Sequence, residues 1–276
     1  MKRLGIIGGH GGMGILFGEV FHSAGFTVTS SGRNTSLTNV ELTRSSDIVM
    51  ISVPVGSTIG VIEEIAPILR SDQVICDLTS IKSSQVEAMM KTKAEVIGFH
   101  PMFGPGLQSI RGQNIIATPE RCSEETLSMF RKIFENEGAK ITIMSPEEHD
   151  RVMSIVQGLV HFATLAIAET IRTSGIDLHK ILSVMSPVYR IEMGIVGRIL
   201  GQSPELYGSI LRMNPEIPHV IESFQTATGN LLNTISASRE EDFYEFFEKN
   251  RQAFEEYIPN ATKDTDKLIA MMVNDP

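Results

Sequence analysis

A histidine, a serine, two arginines and a polar helical stripe are the side chains in this sequence best placed to do chemistry. His100 lies in Phe99-His100-Pro101-Met102-Phe103-Gly104-Pro105, directly after an apolar run, in a loop that proline and glycine stiffen. A neutral imidazole there can accept a hydrogen bond or a proton; its other reading is a structural bond to backbone. Ser80 occupies a similar place in Thr79-Ser80-Ile81-Lys82, after the apolar run 73–77. Arg190 and Arg198 sit among Ile191, Met193, Ile195, Val196 and Ile199. A charge in such surroundings needs an anion, either a protein carboxylate or a substrate carboxylate, and guanidinium suits both. Asp150, Gln157, His161 and Thr164 share one face of a helical pattern whose other faces hold Val152, Ile155, Val156, Leu159, Val160 and Phe162. Polar groups on such a helix need partners, from a substrate or from a neighbouring helix.

The glycines point to a cofactor. Gly9, Gly11 and Gly14 fit G-x-G-x-x-G, with Gly12 and Met13 inside it, between the apolar run 2–7 and the helical stretch 15–21. In that context the first glycine permits the tight turn, the second lets backbone approach a pyrophosphate, and the third lets helix and strand pack closely. The helix N-terminus then offers free N–H groups and partial positive charge to the phosphates. A bound dinucleotide is expected. Its type is decided at the end of the second strand, residues 26–31, where NAD-binding folds usually place an acid for the ribose hydroxyls. This chain has Ser30-Ser31-Gly32-Arg33-Asn34-Thr35 and no carboxylate there. Ser31 and Arg33 suit a 2′-phosphate, so NADP is favoured, with NAD as the alternative.

These residues must be positioned by a sheet. Continuous apolar runs at 47–54, 73–77, 96–99, 114–117 and 141–144 read as buried strands, and helical stretches separate the earlier ones. The fold expected is α/β, a doubly wound parallel sheet of the Rossmann type with right-handed crossovers. Ligands in such sheets lie beyond the carboxyl ends of the strands, which brings Val53, Pro54, Ser80 and His100 under attention. At Ser145-Pro146-Glu147-Glu148 the pattern changes to a capped helix, and no strand signal follows. A long helix is expected over 146–173, then helices at 177–186, 187–200, 204–213, 216–234, 239–257 and 261–272. The domain expectation is therefore 1–145 for the cofactor and an all-helical 146–276 for substrate and dimerisation. This part is apolar for its size, so a homodimer is expected.

Composition narrows the classes. The chain has 276 residues, 42% of them hydrophobic, and a net charge of −9. That charge, with no basic tract, disfavours nucleic acid as a partner. Two cysteines, Cys76 and Cys122, are too few for a disulfide framework or a zinc cluster. No apolar run reads as a membrane span, and glycines interrupt the apolar start too soon for a signal peptide. A cytoplasmic protein with neither nucleic acid nor membrane as partner is expected.

Taken together, several stretches resemble the prephenate/arogenate dehydrogenases of tyrosine biosynthesis. They are 8–14, Asp77-Leu78-Thr79-Ser80-Ile81-Lys82, 99–105, Glu148-His149-Asp150-Arg151, Val156-Gln157-Gly158-Leu159-Val160-His161-Phe162, and Ser186-Pro187-Val188-Tyr189-Arg190 running to Val196-Gly197-Arg198. The resemblance covers nearly the whole chain and implies a nucleotide-binding domain joined to a helical dimerisation domain. It implies oxidation of prephenate or arogenate with loss of CO2. No chorismate-mutase segment is seen before the fingerprint, so a monofunctional form is expected. By the same resemblance His100 would accept the hydrogen bond of the ring hydroxyl, and Ser80 would bond the same group or the nicotinamide. Arg198 would bind a substrate carboxylate and His161 would orient substrate, with Arg190, Gln157 and His149 more supporting than direct. Activity would then rise through a pKa near that of histidine.

Two rivals stand against this. The β-hydroxyacid dehydrogenases share the two-domain plan but use a lysine on the long helix, and no lysine occurs from residue 141 to residue 179. A non-catalytic NADP-binding regulator would bind cofactor without turnover, and His100, Ser80 and Arg198 count against it.

Overall fold

The computed structural model describes residues 2–236 and 239–274. Seven strands form one sheet in the order β2-β1-β3-β4-β5-β6-β7. They are β1 Arg3–Ile7, β2 Thr27–Ser31, β3 Ile48–Ile51, β4 Val74–Asp77, β5 Glu95–Pro101, β6 Asn114–Arg121 and β7 Lys140–Ile143. Between them lie α1 Gly12–Ser23, α2 Asn39–Ser45, α3 Val55–Ile65, α4 Ser83–Met90 and α5 Glu124–Asn136.

The central strands β1, β3, β4 and β5 are apolar on both faces because both faces are covered. Leu4, Ile6, Met50, Ile97 and Phe99 pack with Phe17 and Phe21 of α1 and Phe130 and Phe134 of α5. Their alternate neighbours Ile7, Val49, Ile51, Ile75 and Val96 pack with Leu42, Ile62, Ile65, Val86 and Met89 of α2, α3 and α4. Period-two alternation thus sends successive residues of one strand into two separate cores.

The sheet is parallel from β2 through β5, as the crossover helices require. It is not parallel throughout. β6 runs antiparallel to β5, with Phe99 opposite Ala117 and His100 opposite Ile116, and β7 follows β6 in parallel. The cause is the connection 102–113, which holds no helix and so returns the chain directly instead of crossing over.

Among the described residues every element after β7 is helical: α6 Pro146–Met153, α7 Val160–Thr173, α8 Leu178–Ser183, α9 Pro187–Leu200, α10 Pro204–Met213, α11 Ile217–Ser236, α12 Glu240–Ala253 and α13 Ile258–Asn274. The stretch 146–173 is helical as expected, but Ser154–Leu159 is a π-turn between α6 and α7. Across a π-turn the spacing of an α-helix does not hold. One correction concerns membranes. Pro146–Thr173 is long and apolar enough to cross one by length and composition, with mean hydropathy 1.5 over its best window.

Two compact units emerge from the contacts. The first runs to Met153 and takes in Gly208–Pro215; the second holds Ser154–Tyr207 and the described residues from Glu216 onward. In the first, α6 packs on α4 and β6. In the second, α11 packs on the π-turn and on α12, and α9 on α7 and α13. Among the described residues of the second unit the buried hydrophobics are Val196, Ile199 and Ile217. Val156, Val160, Ile167, Val188, Ile195, Leu232 and Ile235 are exposed in the single chain.

Candidate active site

The glycine turn follows β1 at the place where the strand order reverses, between β1 and its two neighbours β2 and β3. Gly8, ahead of the fingerprint, makes the tight turn: its φ is +81°. This revises the expectation for Gly9, whose role is contact. A Cβ on Gly9 would lie 2.2 Å from Ser30 Oγ, and one on Gly14 would lie 2.6 Å from Gly9 Cα. Gly14 therefore lets α1 close onto the turn after β1. Gly11 caps α1 with no side-chain hydrogen bond, and the first intrahelical bond there runs from Ile15 N–H to the Gly11 carbonyl. The first-turn N–H groups of Gly12, Met13 and Gly14 therefore have no acceptor within the helix. A Cβ on Gly12 would meet Pro105 at 2.5 Å, and Val53 lies beside Gly8, with Pro54 capping α3. Uncapped helix donors behind a turn that side chains would fill fit the pyrophosphate of NAD(P).

The end of β2 differs from expectation in one residue. Ser31 is fully buried and its hydroxyl donates to Asn39 Oδ1 at 2.8 Å, while Asn39 Nδ2 donates to Glu64 at 2.8 Å. Thr27 and Thr29 on the same face of β2 are exposed, but Asn39 of α2 covers Ser31, so its hydroxyl is held by protein. Thr35 Oγ1 accepts from Gly32 N–H at 3.0 Å and shapes the loop. Arg33 is exposed at this strand end.

His100 lies within β5 and not in the loop after it, because Pro101 is still paired with Ile115 of β6. The side chain is buried, and its Nδ1 is 2.8 Å from His149 Nε2. His149 Nδ1 is in turn 2.8 Å from Asp150 Oδ1. Asp150 also accepts from Lys82 N–H and Ser83 N–H, both at 2.9 Å, and so caps α4. Beneath this chain Lys82 Nζ, fully buried, pairs with Asp77 and donates to the Phe99 carbonyl at 2.9 Å. Thr79 bonds Asp77 as well, which fixes the strand-end turn that carries the half-buried Ser80.

Burial sets the electrostatics here. It pushes His100 well below the ordinary histidine range, with His149 and Lys82 adding to it and Asp150 opposing. Burial also lowers His149, against its bond to Asp150. For Asp150 burial acts upward, but hydrogen bonds from His149, Ser83 and Lys82 N–H outweigh it and hold the carboxyl low. Lys82 is lowered by burial against the pull of Asp77.

In the second unit the ring of His161 packs edge-on to Tyr207, with centroids 4.8 Å apart, and burial lowers the His161 pKa. Tyr207 is raised by burial and pulled down by nearby Arg198. His161, Tyr207 and Arg198 thus form one group. Arg198 and Arg190 are exposed in the single chain, because α9 buries Val196 and Ile199 along only one face. The expected buried arginines are therefore corrected to solvent-facing ones. Gln157 is half-buried in the π-turn, and Thr164 spends its hydroxyl on the Val160 carbonyl at 2.8 Å.

Sequence reasoning gave His149 and Asp150 too little weight. Asp150 finds its partners in His149 beside it and in the N-terminus of the neighbouring helix α4, one of the two kinds of partner that its place in the stripe allows. Asp77 and Lys82 were quoted only as part of a motif, and Tyr207 was not singled out. No periodicity marks contacts of this kind, since they join different elements.

A model of the prephenate dehydrogenase nucleotide-binding domain matches residues 29–143, leaving the glycine turn ahead of the matched segment. A model of the prephenate dehydrogenase dimerization domain matches residues 145–249. The probable arogenate/prephenate dehydrogenase of Methanocaldococcus jannaschii is 32% identical over 99% of this chain and 65% of its own length. The T-protein of Haemophilus influenzae is 30% identical over 98% of this chain and 71% of its own length. The chain thus spans about two thirds of the length of these curated relatives. The fold is shared with a prephenate dehydrogenase of Aquifex aeolicus solved with hydroxyphenyl propionate and NAD+, at TM-score 0.75 and 23% identity over 93% of this chain and 98% of that one. It is shared too with the arogenate dehydrogenase of Synechocystis, at TM-score 0.72 and 19% identity over 95% of this chain and 99% of that one. The chain belongs to the prephenate dehydrogenase family, whose members here carry the names of prephenate and arogenate dehydrogenases.

Proposed function

We propose that this chain oxidises prephenate to 4-hydroxyphenylpyruvate with loss of CO2, arogenate being the alternative substrate. The observation that carries the reading is His100, a buried imidazole near the carboxyl end of β5, in the sheet whose β1 end bears the glycine turn. When bound, the nicotinamide of NAD(P) accepts the hydride from the ring carbon that bears the hydroxyl. The rest falls to the chain. His100 accepts the hydroxyl proton, and the O–H electron pair becomes the second carbon–oxygen bond. As the ring carboxylate leaves as CO2, its bonding pair makes the ring aromatic. The oxygen then takes the proton back from His100, so no proton is gained or lost overall.

Ser80 hydrogen-bonds the same hydroxyl. Arg198 takes a substrate carboxylate, His161 orients the substrate, and Arg190 and Gln157 support them. NADP is the preferred cofactor, because Arg33 is exposed at the β2 end and residues 30–35 include no carboxylate. The chain acts in the cytoplasm as a homodimer through its helical domain, 146–276, beside a cofactor domain at 1–145. The apolar faces of α7 and α9 are what a second copy would cover, and that burial would account for a helix of span-like hydropathy without a bilayer.

Formation of reduced cofactor is the test, with prephenate and arogenate offered separately, each with NAD and with NADP. Turnover of prephenate is expected, fastest with NADP. Turnover of arogenate alone would move the reading to the amino analogue, and none with either would overturn it.

A further inference from the structure

The bond order around His100 follows from chemistry alone. An ionised carboxylate only accepts, and Asp150 is kept ionised by two backbone N–H groups at the start of α4 and by that helix's dipole. His149 must therefore donate to it through Nδ1. A neutral His149 then has its lone pair on Nε2, so the 2.8 Å bond to His100 is donated by His100 Nδ1–H. In a neutral His100 the lone pair is consequently on Nε2.

We propose that His149 and Asp150 are positioning residues that lock His100 in the tautomer able to take the hydroxyl proton at Nε2, and that the histidine pair shares the resulting positive charge through the His100 Nδ1–H bond to His149 Nε2 until that proton is returned. The proposal rests on the functional reading above and adds to it what sets the base. Three elements meet here. β5 supplies His100, α6 supplies His149 and Asp150, and the turn before α4 supplies the amides that Asp150 accepts from. Ser80 is two residues from Lys82 in that turn, so one carboxylate ties both hydroxyl-binding groups to a single framework. The other charged group acting on His100 is Lys82, paired with Asp77, and it lowers the ring's basicity as burial does; Asp150 is the negative charge that opposes both. Without His149, His100 loses the acceptor for Nδ1–H, either tautomer becomes available, and a positive His100 loses its link to the carboxylate.

Nitrogen-15 NMR of the imidazoles in the full chain near neutral pH reads the tautomers directly, with no cofactor or substrate. Nδ1–H on both His100 and His149 is expected, and Nε2–H at His100 overturns the proposal. His149→Phe keeps a ring of similar size with neither donor nor acceptor. It should lower kcat by about 10²-fold with little change in KM, and give a tautomer mixture at His100. His149→Gln can donate to Asp150 and accept from His100, and should recover much of that loss. A structural role predicts no such recovery. A His149→Phe chain that folds and turns over like the wild type overturns the proposal. If that variant does not fold, the wild-type tautomers still decide. Wild-type protein that turns over neither substrate overturns the functional reading and leaves the NMR result standing.

Discussion

Burial keeps His100 uncharged through the neutral range, and an uncharged ring is what a proton acceptor needs. The acid limb of kcat/KM should therefore lie below the ordinary histidine value of about 6.5, not at it as the sequence suggests. His100→Asn keeps a hydrogen-bonding group but cannot take the proton. It should lose about 10²–10⁴-fold in kcat with KM nearly unchanged. If the variant melts early yet turns over normally, the acceptor is elsewhere and His161 is next. Arg198 is tested separately. Arg198→Ala should cost roughly 2–4 kcal/mol in kcat/KM, expressed mostly in KM, with cofactor affinity unchanged. A near-normal KM would transfer the role to Arg190.

At the scale of elements, the close approach of β5 to its neighbours has a measurable consequence. A Cβ on Gly98 would lie 2.5 Å from Thr118 Oγ1, 3.0 Å from Lys82 Cδ and 3.2 Å from Asp77 Oδ1. Gly98→Ala must push β6 or the buried ion pair aside and should destabilise by about 1–3 kcal/mol. Gly60, on the exposed side of α3, meets nothing within 4 Å. Gly60→Ala should instead stabilise by about 0.5–1 kcal/mol through helix propensity. Thermal melts of the two variants settle both signs. The loop after β2 bears on cofactor choice. With Ser31 turned to Asn39, Arg33 is the residue on which the proposed preference for NADP rests. Arg33→Ala should shift the kcat/KM ratio toward NAD, and an unchanged ratio would remove the argument for NADP.

At the scale of the molecule, the described residues of the second unit bury few hydrophobics, Val196, Ile199 and Ile217, against a long series of exposed valines, leucines and isoleucines. Sedimentation equilibrium at micromolar concentration should give twice the chain mass of 30.4 kDa. A monomer would count against the dimer. Stability should also depend on pH with a definite sign. His100, His149 and His161 all have depressed values in the fold and return to about 6.5 when unfolded. As pH falls through that value the unfolded chain binds protons that the folded chain refuses, so stability is lost from there downward. The melting temperature should be level above about pH 7 and fall below about pH 6. A rise over that window would show that these histidines are not held neutral.

The sequence by itself determined what depends on neighbours along the chain. The strand before the glycine turn, the apolar runs of the sheet and the all-helical character after residue 145 all follow from local spacing, and the structure has them. His100 was legible for the same reason, as a histidine at the end of an apolar run. What the tertiary structure decided depends on partners distant in sequence. His149 lies 49 residues from His100, and Asp150 lies 68 residues from the Lys82 amide it accepts from. The inward turn of Ser31 was set by Asn39 on the next helix, and the exposure of the two arginines by which face of α9 is packed. The reversal at β6 came from a connection too irregular to cross the sheet. The π-turn broke a spacing that assumes one helical pitch throughout. Periodicity reports which side of an element is buried; it carries no information on which polar group waits there, because hydrogen-bond partners are chosen by packing between elements.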